Sequence, residues 1–365
     1  MTVVETRPEG VPSFERALPA ARPGRRPADE RINWKTSWPF FLVHLLPFLA
    51  FFTGVTTKAV VLCVVLYFGR MFFITAGYHR YFAHRSYRMG RPMQFLMAFG
   101  GTTAAQKGPL WWAGNHRDHH RFADTEQDTH SPLRGFWWSH VGWILCDRFG
   151  SVDYDEKISD FARYPELRVV DKYNLVGPWV LAIGCYLWGG WAGLVVGFFW
   201  STVLLWHATF TVNSLAHVVG WRRYATADTS RNSMMIALYT GGEGWHNNHH
   251  YRPSSARQGF YWWEIDTSYY ALRALNVMGL VHDLRRPTRK HRLASRIKDG
   301  NFDFGMFRAY WTKASGAIAT ARADAGERIG STRQSLDEAV HTALESAEEL
   351  ARATRRSRRA AGFAD

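Results

Sequence analysis

HNNHH, residues 246–250, holds three imidazoles at the i, i+3, i+4 spacing, and HRDHH, residues 116–120 with an arginine and an aspartate inside, repeats it. At that spacing the side chains leave one face of a helix and aim at a common point. A third cluster, HRYFAH, adds His79 and His84. With 16 His in 365 residues, composition alone supplies roughly 0.03 copies of HxxHH. Two occur, so scatter does not account for them. Imidazole suits iron, copper, zinc and nickel, and one ion takes only a few nitrogens. Eight clustered histidines are too many for one ion and point to two.

Outward from the clusters the chain is apolar in long runs. It is 47% hydrophobic and 15% aromatic, with 17 Trp, yet its formal net charge is +14. Such a charge suits a nucleic-acid binder, but here the basic residues lie between and beyond the apolar runs. That segregation is the membrane pattern, and it excludes nucleic acid as the partner. Cys63, Cys146 and Cys185 share no CxxC spacing, so neither a disulfide framework nor a thiolate site is expected.

The runs predict an all-α integral membrane protein with four transmembrane helices at 38–54, 55–77, 174–189 and 191–219. Arg70, inside the second, is expected to snorkel or to face the bundle interior. Loops 54–57 and 189–191 are short and nearly uncharged, whereas both termini and residues 78–173 are basic. The positive-inside rule then puts both termini cytoplasmic, with a helical cap formed by 78–173 and 220–312 carrying the His-rich site. Pro92–Ala105 is too short to span and reads as interfacial. Residues 1–36 form a basic tail without a signal-peptide core, 37–312 the main domain, and 313–365 a charged helical tail. In that tail Leu336, Val340, Leu344 and Leu350 are spaced for one stripe, and Arg355–Arg359 suit either anionic lipid or solvent. Asn213 and His217, at i and i+4 on the long fourth span, point the same way.

Neutral imidazoles leave a metal pair with high positive charge, suited to activating dioxygen, and the clusters contain no thiolate. Asp118, Asp124, Asp128, Glu243 and Asp266 lie near enough in sequence to accept the distal N–H of a ligating ring, without the sequence saying which pairs with which. Oxidising an unactivated C–H bond also needs a dry, apolar pocket.

HRYFAH, HRDHHR, NSLAH and HNNHH, in this order, resemble the membrane-bound acyl-CoA desaturases of the stearoyl-CoA (delta-9) type over about residues 40–290. The resemblance implies a four-span protein whose cytoplasmic cap holds two irons above a bent acyl tunnel. It implies nine metal ligands, His79, His84, His116, His119, His120, His217, His246, His249 and His250, with Asn213 acting through a water. The same likeness leaves His44, His130, His140, His207, His282, His291 and His341 as non-ligands. Gln106, Trp112 and Thr209 match positions around the tunnel's bend. Tyr67 and Met71 match its methyl end, where Met71, bulkier than its animal counterpart, is expected to shorten or divert the tunnel.

Implied is an oxygen-dependent desaturase that inserts a cis double bond into a saturated acyl chain. An alternative is a hydroxylase on the same di-iron scaffold. A haem-binding electron carrier needs histidines facing one another within the spans, where only His44 and His207 lie. Gly114 and Asn115 replace the Arg-Asp pair that engages the carrier in animal members and look more like bacterial ones. The substrate is therefore a fatty acyl thioester, of coenzyme A or acyl carrier protein, or a phospholipid acyl chain. No HPGG motif of a fused cytochrome b5 domain is present, so electrons come from a separate ferredoxin, flavin/iron–sulfur reductase or cytochrome b5-like donor. The expected setting is a bacterial inner membrane.

Overall fold

The computed structural model describes residues 27–297 and 305–360; most of the basic tail 1–36 lies outside them. The first unit ends at Met306 and the second begins at Phe307.

Helix α1, Trp34–Leu45, starts at Asn33, whose side chain accepts the Lys35 N–H. Pro47 lacks the amide a regular helix needs, and the chain tightens to a 3-10 turn, Leu46–Leu49, before Ala50–Thr53. After Gly54, Thr56 caps α2, Thr57–Phe72. This helix does not stop at 77 as expected. It continues as a π-helical stretch, Phe73–Ala83, which carries His79 on the membrane helix itself. Arg70 faces the interior: it is 2% exposed, and its guanidinium donates to Thr202 Oγ1 and to the Thr103 and Leu66 carbonyls.

Helix α3, Arg91–Thr102, buries Met97 and Ala98 and exposes Phe95 and Leu96. Helix α4, Pro109–Phe122, carries the HRDHH run, and α5, Phe136–His140, is a short turn beside it. A long apolar run follows as α6, Val176–Ala192, a π-helical stretch Gly193–Trp200, and α7, Ser201–Asn213. Gly190, at φ 59 and ψ −150, breaks it. A Cβ on Gly193 would collide with the Cys185 carbonyl oxygen, so the chain doubles back there. Ala182 and Cys185 of the outgoing arm then cluster with Phe198 of the returning one.

Three described helices are long and apolar enough to cross a membrane: Ala28–Thr53, Thr57–Ala83 and the broken run Val176–His217. A small antiparallel pair, β1 Arg88–Met89 and β2 Val281–His282, clips distant parts of the polar segments together. The main core packs Met71, Tyr78, Phe82, Met97, Leu110 and Phe161 beneath the histidine runs. Helix α8, His246–Tyr251, carries the HNNHH run.

Helix α9 spans Gly305–Ala360, all but its first two residues in the second unit, so the tail's helix begins before residue 313. Ile318, Ile329, Leu336, Val340 and Leu344 are exposed along it. The side chains of Leu350 and Arg355–Arg359 lie outside the described residues.

Candidate metal centre

The structure brings all nine histidines together as two neighbouring groups. His79, His84, His116, His120 and His249 form one, and His119, His217, His246 and His250 the other. Within each, one ring nitrogen per residue lies within 4.8 Å of the rest.

Local backbone explains each contribution. In an α-helix, residues five apart point about 140° away from each other. In the π-helical stretch the i to i+5 hydrogen bond brings them round, and the His84 N–H donates to the His79 carbonyl at 3.2 Å. The x4 spacing of the first motif therefore requires this bulged helix. On α4 and α8 the ordinary i, i+4 spacing suffices: His116 and His120 Nε2 lie 3.0 Å apart, as do His246 and His250 Nε2. The two groups interlock, because α4 sends His116 and His120 to one and His119 to the other. Helix α8 likewise sends His249 to the first and His246 and His250 to the second.

Four carboxylates orient the rings. Glu243 Oε2 lies 2.6 Å from His79 Nδ1. Asp128 Oδ1 and Asp228 Oδ2 each lie 2.9 Å from Nδ1 of His119 and His250, and Asp124 Oδ1 is 3.4 Å from His217 Nδ1. A carboxylate on Nδ1 fixes the proton there and leaves Nε2 as a lone pair. The Nε2 atoms meet across each group: His79 and His249 at 2.9 Å, His84 and His116 at 2.9 Å, His217 and His246 at 3.1 Å. Burial first, then neighbouring imidazoles, hold His84, His116, His120, His246 and His249 well below the usual imidazole pKa. Those five rings are thus held neutral, as metal ligands must be, and the ring nitrogens of all nine converge in two groups. The donor set fits a pair of transition-metal ions.

Of the carboxylates expected near the rings, two do other work. Asp118 pairs with Lys157. Asp266 accepts Arg80 Nη1 at 2.8 Å and the backbone amides of Gln258 and Tyr269. Arg80 also donates to Glu243 Oε1, so one buried guanidinium braces the carboxylate that holds His79. Asp228 is not among the expected residues; it lies in the loop ATADTS, without periodicity or motif to mark it. His130, expected as a bystander, has its ring centroid 4.1 Å from that of His119 and forms a third close group with His119 and Asp128.

Below the groups lies a cavity of about 800 Å³ whose wall includes His116, His130 and Asn213. Trp112 stacks on His116, centroids 4.9 Å apart, and Gln106 Nε2 donates to Thr209 Oγ1 at 2.9 Å across the cavity. From there the wall is apolar, with Phe40, Trp206, Phe198 and Ala182 among its residues. Tyr67 and Met71 are not among them. Tyr67 donates to the Tyr239 carbonyl at 2.7 Å, and Met71 is packed in the core at 1% exposure.

Three unclustered histidines meet beside this cavity. His44 Nδ1 donates to the Phe40 carbonyl at 2.7 Å, and its Nε2 meets His207 Nε2 at 3.0 Å. His207 Nδ1 meets His140 Nε2 at 3.0 Å, and His140 Nδ1 meets Ser214 Oγ at 2.9 Å. Here both nitrogens of each ring are used in series, unlike the convergent rings of the two groups.

Apolar helices of membrane-crossing length, paired groups of buried imidazoles and a long greasy cavity against them define a membrane protein that works on lipid chains. The chain belongs to the fatty acid desaturase family, whose pattern matches residues 56–285. It is 35% identical over 263 residues to an sn-1 stearoyl-lipid 9-desaturase of Anabaena variabilis, covering 71% of this chain and 96% of that one. It is 40% identical over 211 residues to an sn-2 palmitoyl-lipid 9-desaturase of a Nostoc strain, covering 57% of this chain and 74% of that one. An acyl-CoA 5-desaturase of Anemone leveillei is 36% identical over 231 residues, 63% of this chain and 72% of the other. The protein is accordingly an oxidoreductase that desaturates fatty acyl chains.

Proposed function

We propose that this enzyme inserts a cis double bond at the ninth carbon of a saturated acyl chain, using two irons, dioxygen and two electrons from a separate protein. The observation that carries this reading is the shared wall: His116 belongs at once to the five-imidazole group and to the lining of the apolar cavity, and His130, beside His119, lines it too. The nine histidines would hold the irons, with Asn213 acting through a water. Two such ions supply the oxidising power for an unactivated C–H bond once dioxygen and electrons arrive. The ninth position is supported by the two 9-desaturases among the relatives.

The chain's own residues do the rest. The Gln106–Thr209 hydrogen bond and the Trp112 ring bend the acyl chain, so that two hydrogens on one face are presented together and the alkene is cis. The apolar walls exclude water from the oxidant. Met71 plugs the far end beyond the cavity, with Tyr67 tied down beside it.

We read the two arms of Val176–His217 as separate crossings, giving four spans with both termini and the histidine groups on the cytoplasmic side of a bacterial inner membrane. Residues 78–173 and 220–312 then form the cap, and 313–365 a separate tail. The basic cytoplasmic surface suits an acidic one-electron carrier, such as a ferredoxin, or a flavin/iron–sulfur reductase or cytochrome b5-like partner.

Iron stoichiometry on the purified protein, with mass spectrometry of lipids from a host expressing it, tests the proposal. Two irons per chain and acyl chains lacking two hydrogens support it. A gain of one oxygen atom identifies a hydroxylase instead, and absence of iron overturns both.

A further inference from the structure

A second, less apolar cavity of about 580 Å³ adjoins the acyl cavity, and the two share Lys107, Trp111, Gly150 and Leu175 as wall. Its other lining includes Tyr154, Lys172, Tyr173 and Asn174. It lies where the third apolar run begins, and the exposed Tyr173, Leu175 and Trp179 mark that as the level of lipid headgroups.

The loop at its rim is strained in a purposeful way. Ala105 and Lys107 both take positive φ, 54 and 63, a conformation costly for residues with a Cβ and usually kept where it serves a site. Between them Gln106 reaches Thr209 across the acyl cavity. Lys107 instead extends along the rim, its Nζ 4.3 Å from the Trp111 ring centroid and 3.4 Å from the Gly150 carbonyl. One tight turn thus serves both the bend and the rim.

The only carboxylate among the described residues lining this groove is already committed. Asp171 Oδ1 accepts the Leu110 and Trp111 amides at 2.8 and 3.0 Å, capping the start of α4, and its Oδ2 accepts the Tyr154 hydroxyl. Among the described residues, Lys107 and Lys172 have ring contacts but no carboxylate ion pair. The two residues just before the HRDHH run, Gly114 and Asn115, carry no charge. A Cβ on Gly114 would stand 2.5 Å from Val152 Cγ1, and the buried Asn115 spends its amide on the Trp111 carbonyl at 3.1 Å.

We propose that this groove holds the carrier end of the substrate, and that Lys107, supported by Lys172, binds a phosphoryl group there. The proposal rests on the acyl-desaturase reading above. It excludes uncharged glycerides and glycolipids as preferred carriers. A bilayer phospholipid and a phosphopantetheine thioester such as an acyl-CoA share the required chemistry.

The test is binding to full-length, metal-free protein in nanodiscs, with three saturated probes: distearoyl phosphatidylglycerol, stearoyl-CoA and distearoylglycerol. Lys107→Met removes a charge-assisted contact, for which about a tenfold or greater loss of affinity is expected for a phosphoryl probe. Lys172→Met gives a smaller loss, Lys107→Arg restores most of it, and distearoylglycerol changes less than about twofold, having no charge to lose. Whichever phosphoryl probe binds tightly and responds to Lys107→Met identifies the carrier. Equal losses for the uncharged probe, or none for either phosphoryl probe, overturn the proposal. Should the wild-type protein bind no acyl probe and make no double bond in a host, the acyl-desaturase reading itself fails. Double bonds in that host with affinities indifferent to Lys107 refute the carrier site alone.

Discussion

His119 and His250 present their Nε2 atoms to each other at 3.3 Å while each is anchored behind by a carboxylate 2.9 Å from Nδ1. The anchors, Asp128 and Asp228, are both held well below the usual carboxylate pKa against burial, chiefly by the imidazoles they face. Each ring is therefore fixed in tautomer and direction before any ion arrives.

Asp228→Asn removes the charge behind His250 and nothing from the five-imidazole group. Metal affinity at the four-imidazole group should fall about 10- to 100-fold. Metal analysis after dialysis against a weak chelator should find the chain close to half-loaded. Full loading would mean that His250 needs no anchor.

Breaking the Gln106–Thr209 hydrogen bond with Thr209→Val keeps the side chain's shape and removes one polar atom. Iron content should be unchanged, while the positions of new double bonds broaden, as read by mass spectrometry of cleaved products. An unaltered product would show that the bend is set by Trp112 and backbone alone.

On the proposed role of Met71 as the plug at the methyl end, Met71→Ala lengthens the space for the acyl chain. Removing so buried a side chain costs about 2–5 kcal/mol of stability, and preference should shift toward longer acyl chains. Competition between palmitoyl and stearoyl substrates measures the shift, and an unchanged ratio would remove Met71 from the methyl end.

The His44–His207–His140 series makes a prediction about pH. The Phe40 carbonyl can only accept, so His44 Nδ1 donates to it, and the three rings follow one another nitrogen to nitrogen. At the other end His140 Nδ1 stands 2.9 Å from Ser214 Oγ, whose hydroxyl donates to the Phe210 carbonyl at 2.9 Å. Burial and His207 push His140 down to about 4. The folded state thus binds fewer protons than the unfolded one between that value and the ordinary 6.5, and stability declines as pH falls through this window. Thermal unfolding of His140→Gln should lose that part of the slope. His207→Gln, which can donate on one side and accept on the other, should unfold closer to wild type than His207→Leu.

Much of the centre is legible in the chain because imidazole spacing is local. HxxHH on a helix carries its own geometry, and long apolar runs carry theirs. Asp228 cannot be read this way, since its pairing with His250 depends on how a loop closes. The same holds for Asp118 and Asp266, which stand near the clusters in sequence but satisfy Lys157 and Arg80 instead. The end of the second helix is misplaced for another reason. Hydropathy falls at Tyr78 while backbone hydrogen bonding carries on to Ala83.

The wide turn that swings His84 round onto the face of His79 also limits how this gene can drift. Tyr81, Phe82 and Ala83 can be exchanged for residues of similar bulk, since none supplies a ring to either group. Deleting or inserting a single codon between the two histidines would rotate the second one out of reach, and no substitution elsewhere could bring it back. In this segment length is the inherited trait, and composition only follows it.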